Sequence, residues 1–258
     1  PLAKKATRPE VRGGLGGFAG LFALGTHYKE PLLAASSDGV GTKIDIARQM
    51  EIYHTVGLDL VAMVVDDLVV CGAEPLFLQD YISIGHVVPE KVAKLVEGIA
   101  EGCVRSGCAL LGGETAEHPG LMAPDEFDLA ATGVGVVEAA DVLGPERVKA
   151  GDVCIAMASS GLHSNGYSLA RKVLLDMAGL PLDAQVEEFG RTVGEELLEP
   201  THIYAKDCLA VIAEAQVHTF CHVTGGGLAG NLARVIPDGL TADLDRATWN
   251  PSAVFRVI

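Results

Sequence analysis

Glycine constrains this chain more than any other residue. Of its 31 residues, 11 lie in four clusters, Gly13–Gly17, Gly39–Gly41, Gly112–Gly113 and Gly225–Gly227, each beside an apolar run of strand length. That is about 12% of the chain against the roughly 7% usual in proteins. Glycine tolerates φ > 0 and lets backbone approach a ligand closely, so such clusters suit both tight turns and anion-handling loops. Loops of this kind between alternating strand-like and helix-like patterns point to an α/β protein.

The patterns place the elements. Residues 18–24 and 31–36 read as short strands. In SDGVGTKIDIA the alternation of Ile44 and Ile46 with Lys43 and Asp45 predicts that a strand resumes after the glycine turn. From Val56 the period becomes helical: Val61, Val64, Val65, Leu68 and Val69 form an apolar stripe, with Asp59, Asp66 and Asp67 expected on the opposite, solvated face. A strand over 76–84 follows, then a helix opened by Pro89 and running to about Ser106, then strands over CALLGGE and FDLAATGVGVVE. The polar stretch 139–152, with Gly144-Pro145, divides the chain into domains 1–139 and 140–258. The second is expected to hold strands at 153–158, 217–223 and 239–244. Its expected helices run from Asn165 to Met177, as a pair near 192–214, and over 228–235.

Charge and length exclude some functions. Acids outnumber bases 34 to 19, for a net charge of −15. Such a field repels phosphate backbones and anionic lipid, so neither nucleic acid nor a membrane surface is expected as a partner. It does not exclude a nucleotide carried with a divalent cation. No uncharged apolar run reaches the roughly 18–20 residues of a membrane span. Six scattered cysteines without a C-x-x-C spacing read as buried reduced thiols of a cytoplasmic protein. The chain begins at Pro1 and ends on the uncapped FRVI, so a fragment with an incomplete second domain is expected.

Three carboxylates stand next to glycine or at a helix end: Asp38 in DGVGTK, Asp67 after the apolar stripe, and Glu114 in GGET. Hard oxygen donors of this kind suit Mg²⁺, which keeps waters and substrate phosphates as its other ligands. Lys43 would be the point charge on those phosphates. G-x-x-x-x-G-K-[ST] is absent, so any ATP site here is not a Walker loop. Ser159–Gly166 offers Ser, His and Asn groups at a helix start, with His163 as a possible proton carrier. A literal G-x-G-x-x-G at Gly225, Gly227 and Gly230 leaves open a dinucleotide-binding oxidoreductase. His218 and His222 around Cys221 have only a loosely metal-like spacing, and a zinc site is not expected.

GGLGGFAGLF, SDGVGTK, VAMVVDDLVVCGAEPLFLQDY, EGCVRSGCALLGGETAE, SSGLHSNGYSL and HVTGGG occur in that order. Together they resemble the aminoimidazole ribonucleotide synthetases, the phosphoribosylformylglycinamidine cyclo-ligases of purine biosynthesis. The resemblance implies an ATP-dependent, Mg²⁺-dependent ring closure of formylglycinamidine ribonucleotide. It implies two α/β domains, the first joining its sheet to that of a second subunit in a homodimer and the second a ferredoxin-like α/β sandwich. Carried over onto this chain, Asp38, Asp67 and Glu114 are the expected metal ligands, and Lys43, Asp67 and His163 the expected catalytic groups. Asp38, Gly39, Gly41, Thr42, Lys43, Asp67, Asp80, Gly113 and Glu114 are expected around the nucleotide. Gly14, Gly16, Gly17, Ser164 and Asn165 are expected around the ribonucleotide. The family's usual Asn-Asp is Asp66-Asp67 here. Other ATP-using enzymes of the same superfamily, of the thiamine-phosphate kinase or selenophosphate synthetase type, are the alternative.

Overall fold

The computed structural model describes residues 2–14 and 17–258. A two-stranded ribbon, β1 (Val11–Arg12) with β2 (Leu21–Phe22), precedes the main sheet. The first half then runs β3 (Pro31–Gly39), α1 (Lys43–Met50), α2 (His54–Val69), β4 (Glu74–Ile84), α3 (Pro89–Ser106), β5 (Ala109–Glu117) and β6 (Phe127–Glu138). The four long strands pair in the order β3-β6-β4-β5. Only β4 and β5 are parallel, and α3 is the crossover that this direction requires.

Strand alternation decides the faces. On β6, Phe127, Leu129 and Ala131 are buried while Asp128, Ala130 and Thr132 are exposed. The buried face is covered by α2 and α3. On the other face Leu33 (66% exposed) and Tyr81 (41% exposed) meet solvent. The α2–α3 contact is close because glycines meet there. A side chain at Gly98 would lie 1.9 Å from the His54 carbonyl oxygen, and one at Gly57 would lie 2.6 Å from that of Leu95.

Two expectations for the first half are corrected. Residues 43–46 are not a strand. Gly41 turns the chain with φ +65, and Lys43–Met50 is helical. The buried residues Lys43, Ile44, Ile46 and Ala47 fit one helix face. Four residues of alternation were too short a window to separate the two periods. Nor is α2 half solvated. Thr55–Asp66 is buried throughout, with Asp59 at 0% and Asp66 at 3% exposure. The sheet, α3 and chain from the second half surround it, and only Asp67 of the three acids reaches solvent.

The second half is helical where helices were expected: α4 (Tyr167–Arg171), continuing through a π turn to Met177, α5 (Val193–Leu197) and α6 (Ala205–Glu214). A short ribbon, β7 (Gln185–Val186) with β8 (Arg191–Thr192), lies between α4 and α5. Two short helices follow, α7 (Gly227–Leu232) and α8 (Val254–Val257). The segments 153–158, 217–223 and 239–244 are not strands. Apolar alternation marks a segment as suited to a sheet, but only a hydrogen-bonded neighbour makes it one. Here Val153 and Ile155 are 82% and 87% exposed and have no ladder partner. Of the cysteines, Cys103, Cys108 and Cys208 are buried as expected, whereas Cys154 is exposed.

Gly98→Ala should lower stability by about 1–3 kcal/mol despite alanine's better helix propensity, because the methyl group meets backbone that cannot turn aside. Urea titration of the variant against the parent measures this.

Candidate active site

The end of α2 and the adjoining strand β3 form one wall. Asp67 accepts a hydrogen bond from the Ser36 hydroxyl (3.3 Å) and pairs with His222 Nδ1 (2.8 Å). The bond to His222, helped by Ser36, holds the Asp67 carboxyl below the usual range, so it is ionised at neutral pH. Asp38 lies two residues beyond Ser36 on β3 and therefore on the same face. It is exposed, and its Oδ1 accepts the Gly39 N–H at 2.7 Å. Just past β3, a Cβ on Gly41 would sit 3.7 Å from the Ser164 carbonyl oxygen, and the Thr42 hydroxyl bonds that of Ser168 at 3.3 Å.

Two loops of the second half meet these residues. His163 holds a left-handed backbone (φ 59), unusual for a residue other than glycine. Its Nε2 accepts the Ser160 N–H at 3.2 Å, so Nδ1 carries the proton of the neutral ring. Burial, reinforced by Lys43 and by His222 and His202, pushes its pKa down to about 4. The Ser164 hydroxyl is buried with no hydrogen-bond partner among the described residues. Asn165 donates to the Met63 sulfur (3.6 Å), and its amide oxygen would be 3.5 Å from a Cβ on Gly225. Asn231 holds the Gly225–Gly227 turn by accepting the Thr224 N–H (3.1 Å) and donating to its hydroxyl (3.3 Å). The contacts thus join Asp67 to His222 and Asn165 to Gly225, and bring Ser164 to the Gly41 turn that follows Asp38.

Several expected site residues lie elsewhere. Lys43 is not a free phosphate-binding cation. It is fully buried and ion-paired with Asp59 at 2.8 Å. Glu114 does not join Asp38 and Asp67. Its neighbour Gly113 faces the same side as Asp80, so alternation turns Glu114 to the opposite sheet face. It also stands on β5, three strands from Asp38 on β3, or roughly 14 Å at the usual strand spacing. Among the described residues no three metal-ligating side chains cluster.

Asp80 points under the helices, where burial raises its pKa to about 6. Gly113 makes room for it, since a Cβ there would lie 2.3 Å from Asp80 Oδ1. Gly14 and Gly17 are exposed, and no backbone hydrogen bond among the described residues ties them to Asp38, Asp67 or Ser164. Gly16 lies outside the described residues. The Gly225–Gly230 fingerprint lacks the strand that should precede it. His218 pairs with Asp152 (2.6 Å), and so shares no site with His222.

Sequence reasoning missed His222 as the partner of Asp67. Its only signal was a histidine three residues ahead of a glycine cluster. The buried Asp59 and its partner Thr201 were missed as well. Asp66 accepts the Tyr204 N–H at 2.9 Å and so holds the start of α6, while burial raises its pKa to about 7.

Two family descriptions match this chain: "AIR synthase related protein, N-terminal domain" over residues 19–137 and "AIR synthase related protein, C-terminal domain" over residues 149–256. A phosphoribosylformylglycinamidine cyclo-ligase of Anaeromyxobacter dehalogenans (strain 2CP-C) is 53% identical over 100% of this chain and 75% of the relative. One of Carboxydothermus hydrogenoformans is 50% identical over 99% of this chain and 74% of the relative. Among solved structures, the thiamine-monophosphate kinase of Stenotrophomonas maltophilia K279a matches with a TM-score of 0.56 at 19% identity, over 86% of this chain and 65% of that one. The hydrogenase maturation protein HypE in complex with ATP matches at 0.59 and 18%, over 90% of this chain and 62% of that one. At such identities the structural matches speak for the fold alone.

A histidine whose folded pKa lies below its unfolded value binds fewer protons when folded, so stability is lost as pH falls from about 6.5 toward 4. His163→Asn, which keeps a residue tolerant of left-handed backbone, should flatten part of that loss, by roughly 1–3 kcal/mol. Urea midpoints at pH 7 and pH 5 for both proteins test this, and the His163 ring resonances should show no titration above pH 5.

Proposed function

We infer the function from one premise: the chain belongs to the AIR synthase related protein family in both of its halves. It is a phosphoribosylformylglycinamidine cyclo-ligase, converting formylglycinamidine ribonucleotide and ATP to aminoimidazole ribonucleotide, ADP and phosphate. The observation that carries this reading is identity of about 50% along essentially the whole chain to relatives of that name. The groups present suit it: the Asp67 carboxylate of the first half pairs with the His222 imidazole of the second, and the Ser164 hydroxyl is buried near the Gly41 turn.

The reaction needs a better leaving group than an amide oxygen. Phosphoryl transfer from ATP to the formamide oxygen makes that oxygen a phosphate. The amidine nitrogen then attacks the same carbon, closing the five-membered ring and expelling phosphate. The protein's part is positioning and charge placement. Asp38 and Asp67 are the hard anionic donors that would hold Mg²⁺, which neutralises phosphate charge when bound. Ser164 and Asn165 bind the ribonucleotide; the partnerless Ser164 hydroxyl is a group a polar ligand would complete. His163, neutral and protonated at Nδ1, donates a hydrogen bond. His222 turns Nδ1 to Asp67, which leaves its Nε2 lone pair to take a proton from the attacking nitrogen.

The same reading extends to assembly. The uncovered sheet face, with Leu33 and Tyr81, is the surface through which two subunits pair their sheets in a homodimer. The first domain spans 1–139 and the second 140–258. The enzyme works in the cytoplasm; no helix of the described residues is long and apolar enough to cross a membrane.

ADP should be released only when ATP and formylglycinamidine ribonucleotide are both present, and thiamine phosphate should not replace the ribonucleotide. ATP turnover without it would refute the assignment. Asp38→Asn and Asp67→Asn should each lower kcat by about 100-fold or more, as loss of transition-state charge stabilisation does. Coupled ADP assays over a magnesium series measure both.

A further inference from the structure

The lysine displaced from the phosphate role sits at a junction of four chain segments. Its Nζ donates to Asp59 Oδ1 (2.9 Å), to the His163 carbonyl (3.0 Å) and to the Glu199 carbonyl (2.7 Å), and makes an ion-pair contact with Asp59 Oδ2 at 2.8 Å. An ammonium has three donors, and all three are used. Asp59 Oδ1 in turn accepts the Thr201 N–H (2.8 Å) and hydroxyl (2.6 Å). Lys43 and Asp59 are both 0% exposed.

Two features separate this junction from an ordinary stabilising contact. A buried ion pair adds little net stability, because desolvation of both charges offsets their attraction. What it does supply is direction. It also joins the segment of Asp38 to the loop of His163–Asn165. Lys43 ends the segment that begins with Asp38, and the carbonyl it grips belongs to His163. That residue's left-handed backbone costs about 1 kcal/mol or more and needs such a hold. Ser164 follows directly, with its hydroxyl buried and unpartnered, and then Asn165 beside Gly225.

We propose that Lys43, braced by Asp59 and Thr201, is a positioning residue of the cyclisation: it fixes His163–Asn165 at the distance from Asp38 that the ribonucleotide requires. This rests on the cyclo-ligase reading. Lys43 does not touch substrate; it acts through the loop it holds.

The double variant Lys43→Met/Asp59→Asn removes both charges and leaves an amide oxygen for Thr201. It should melt cooperatively, lose at least tenfold in kcat and raise KM for the ribonucleotide at least threefold. KM for ATP should stay within twofold, and amides of residues 160–166 should exchange at least tenfold faster. A folded double variant with parental kcat and both KM values overturns the proposal. So does a loss explained by a smaller active fraction with both KM values unchanged. If the double variant does not fold, Thr201→Val decides. A selective rise in ribonucleotide KM supports the brace, and parental kinetics overturn it. If the parent enzyme releases no ADP with both substrates, the function assignment is what fails. Unchanged exchange over 160–166 would instead condemn the positioning role alone.

Discussion

A positive and a negative charge lie together in the interior, between the two halves of the chain, and the rest of the arrangement answers to them. Removing an ammonium and a carboxylate from water costs several kcal/mol per ion, which their attraction and added hydrogen bonds must offset. Lys43 uses all three donors and Asp59 Oδ1 accepts three, with groups from four segments, while Asp59 Oδ2 has only its ion-pair contact with Nζ. Burial still pulls the Lys43 ammonium toward neutrality, and the adjacent Asp59 carboxylate opposes the pull. The need to satisfy that pair dictates where residues 160–166 and 199–201 dock. The same contact seats residues 160–166 against the turn after β3, where a Cβ on Gly41 would lie 3.7 Å from the Ser164 carbonyl.

Helix α2 carries most of the consequences. It is a sixteen-residue helix buried almost all round, and its three acids divide three tasks among them. Asp59 anchors Lys43, Asp66 receives the start of α6, and Asp67 bonds Ser36 and His222. A helix that apolar would ordinarily be a silent core element. Here its acids make it the piece on which the second half of the chain is mounted, and the Gly57–Gly98 contact with α3 keeps it seated.

Much of this could be read in advance. Strands β4 and β6 and helix α3 follow from period and caps, and the motif order led to the family. The site was only partly legible. Asp67 meets a histidine of the second half and Asn165 lies beside Gly225, whereas Lys43 is buried against Asp59 and Glu114 stands on the opposite sheet face. Lys43 misled because its residue type and its glycine neighbours suit a phosphate, and nothing local shows that Asp59 waits sixteen residues on. Glu114 misled because a motif names a residue but not the sheet face on which it falls.

Local chemistry in the chain was enough to settle the class of elements, the glycine turns, the acidic character and the family. Those properties depend on near neighbours along the backbone, where periods of two and of 3.6 leave a trace. Which acid is buried, which histidine meets Asp67, and whether a lysine faces solvent or core depend on residues up to 156 positions apart. Packing and desolvation decide such matters, and they act only once distant segments share a volume. The apolar alternation at 153–158 shows the same limit, because a strand without a neighbour is a pattern and not yet a structure.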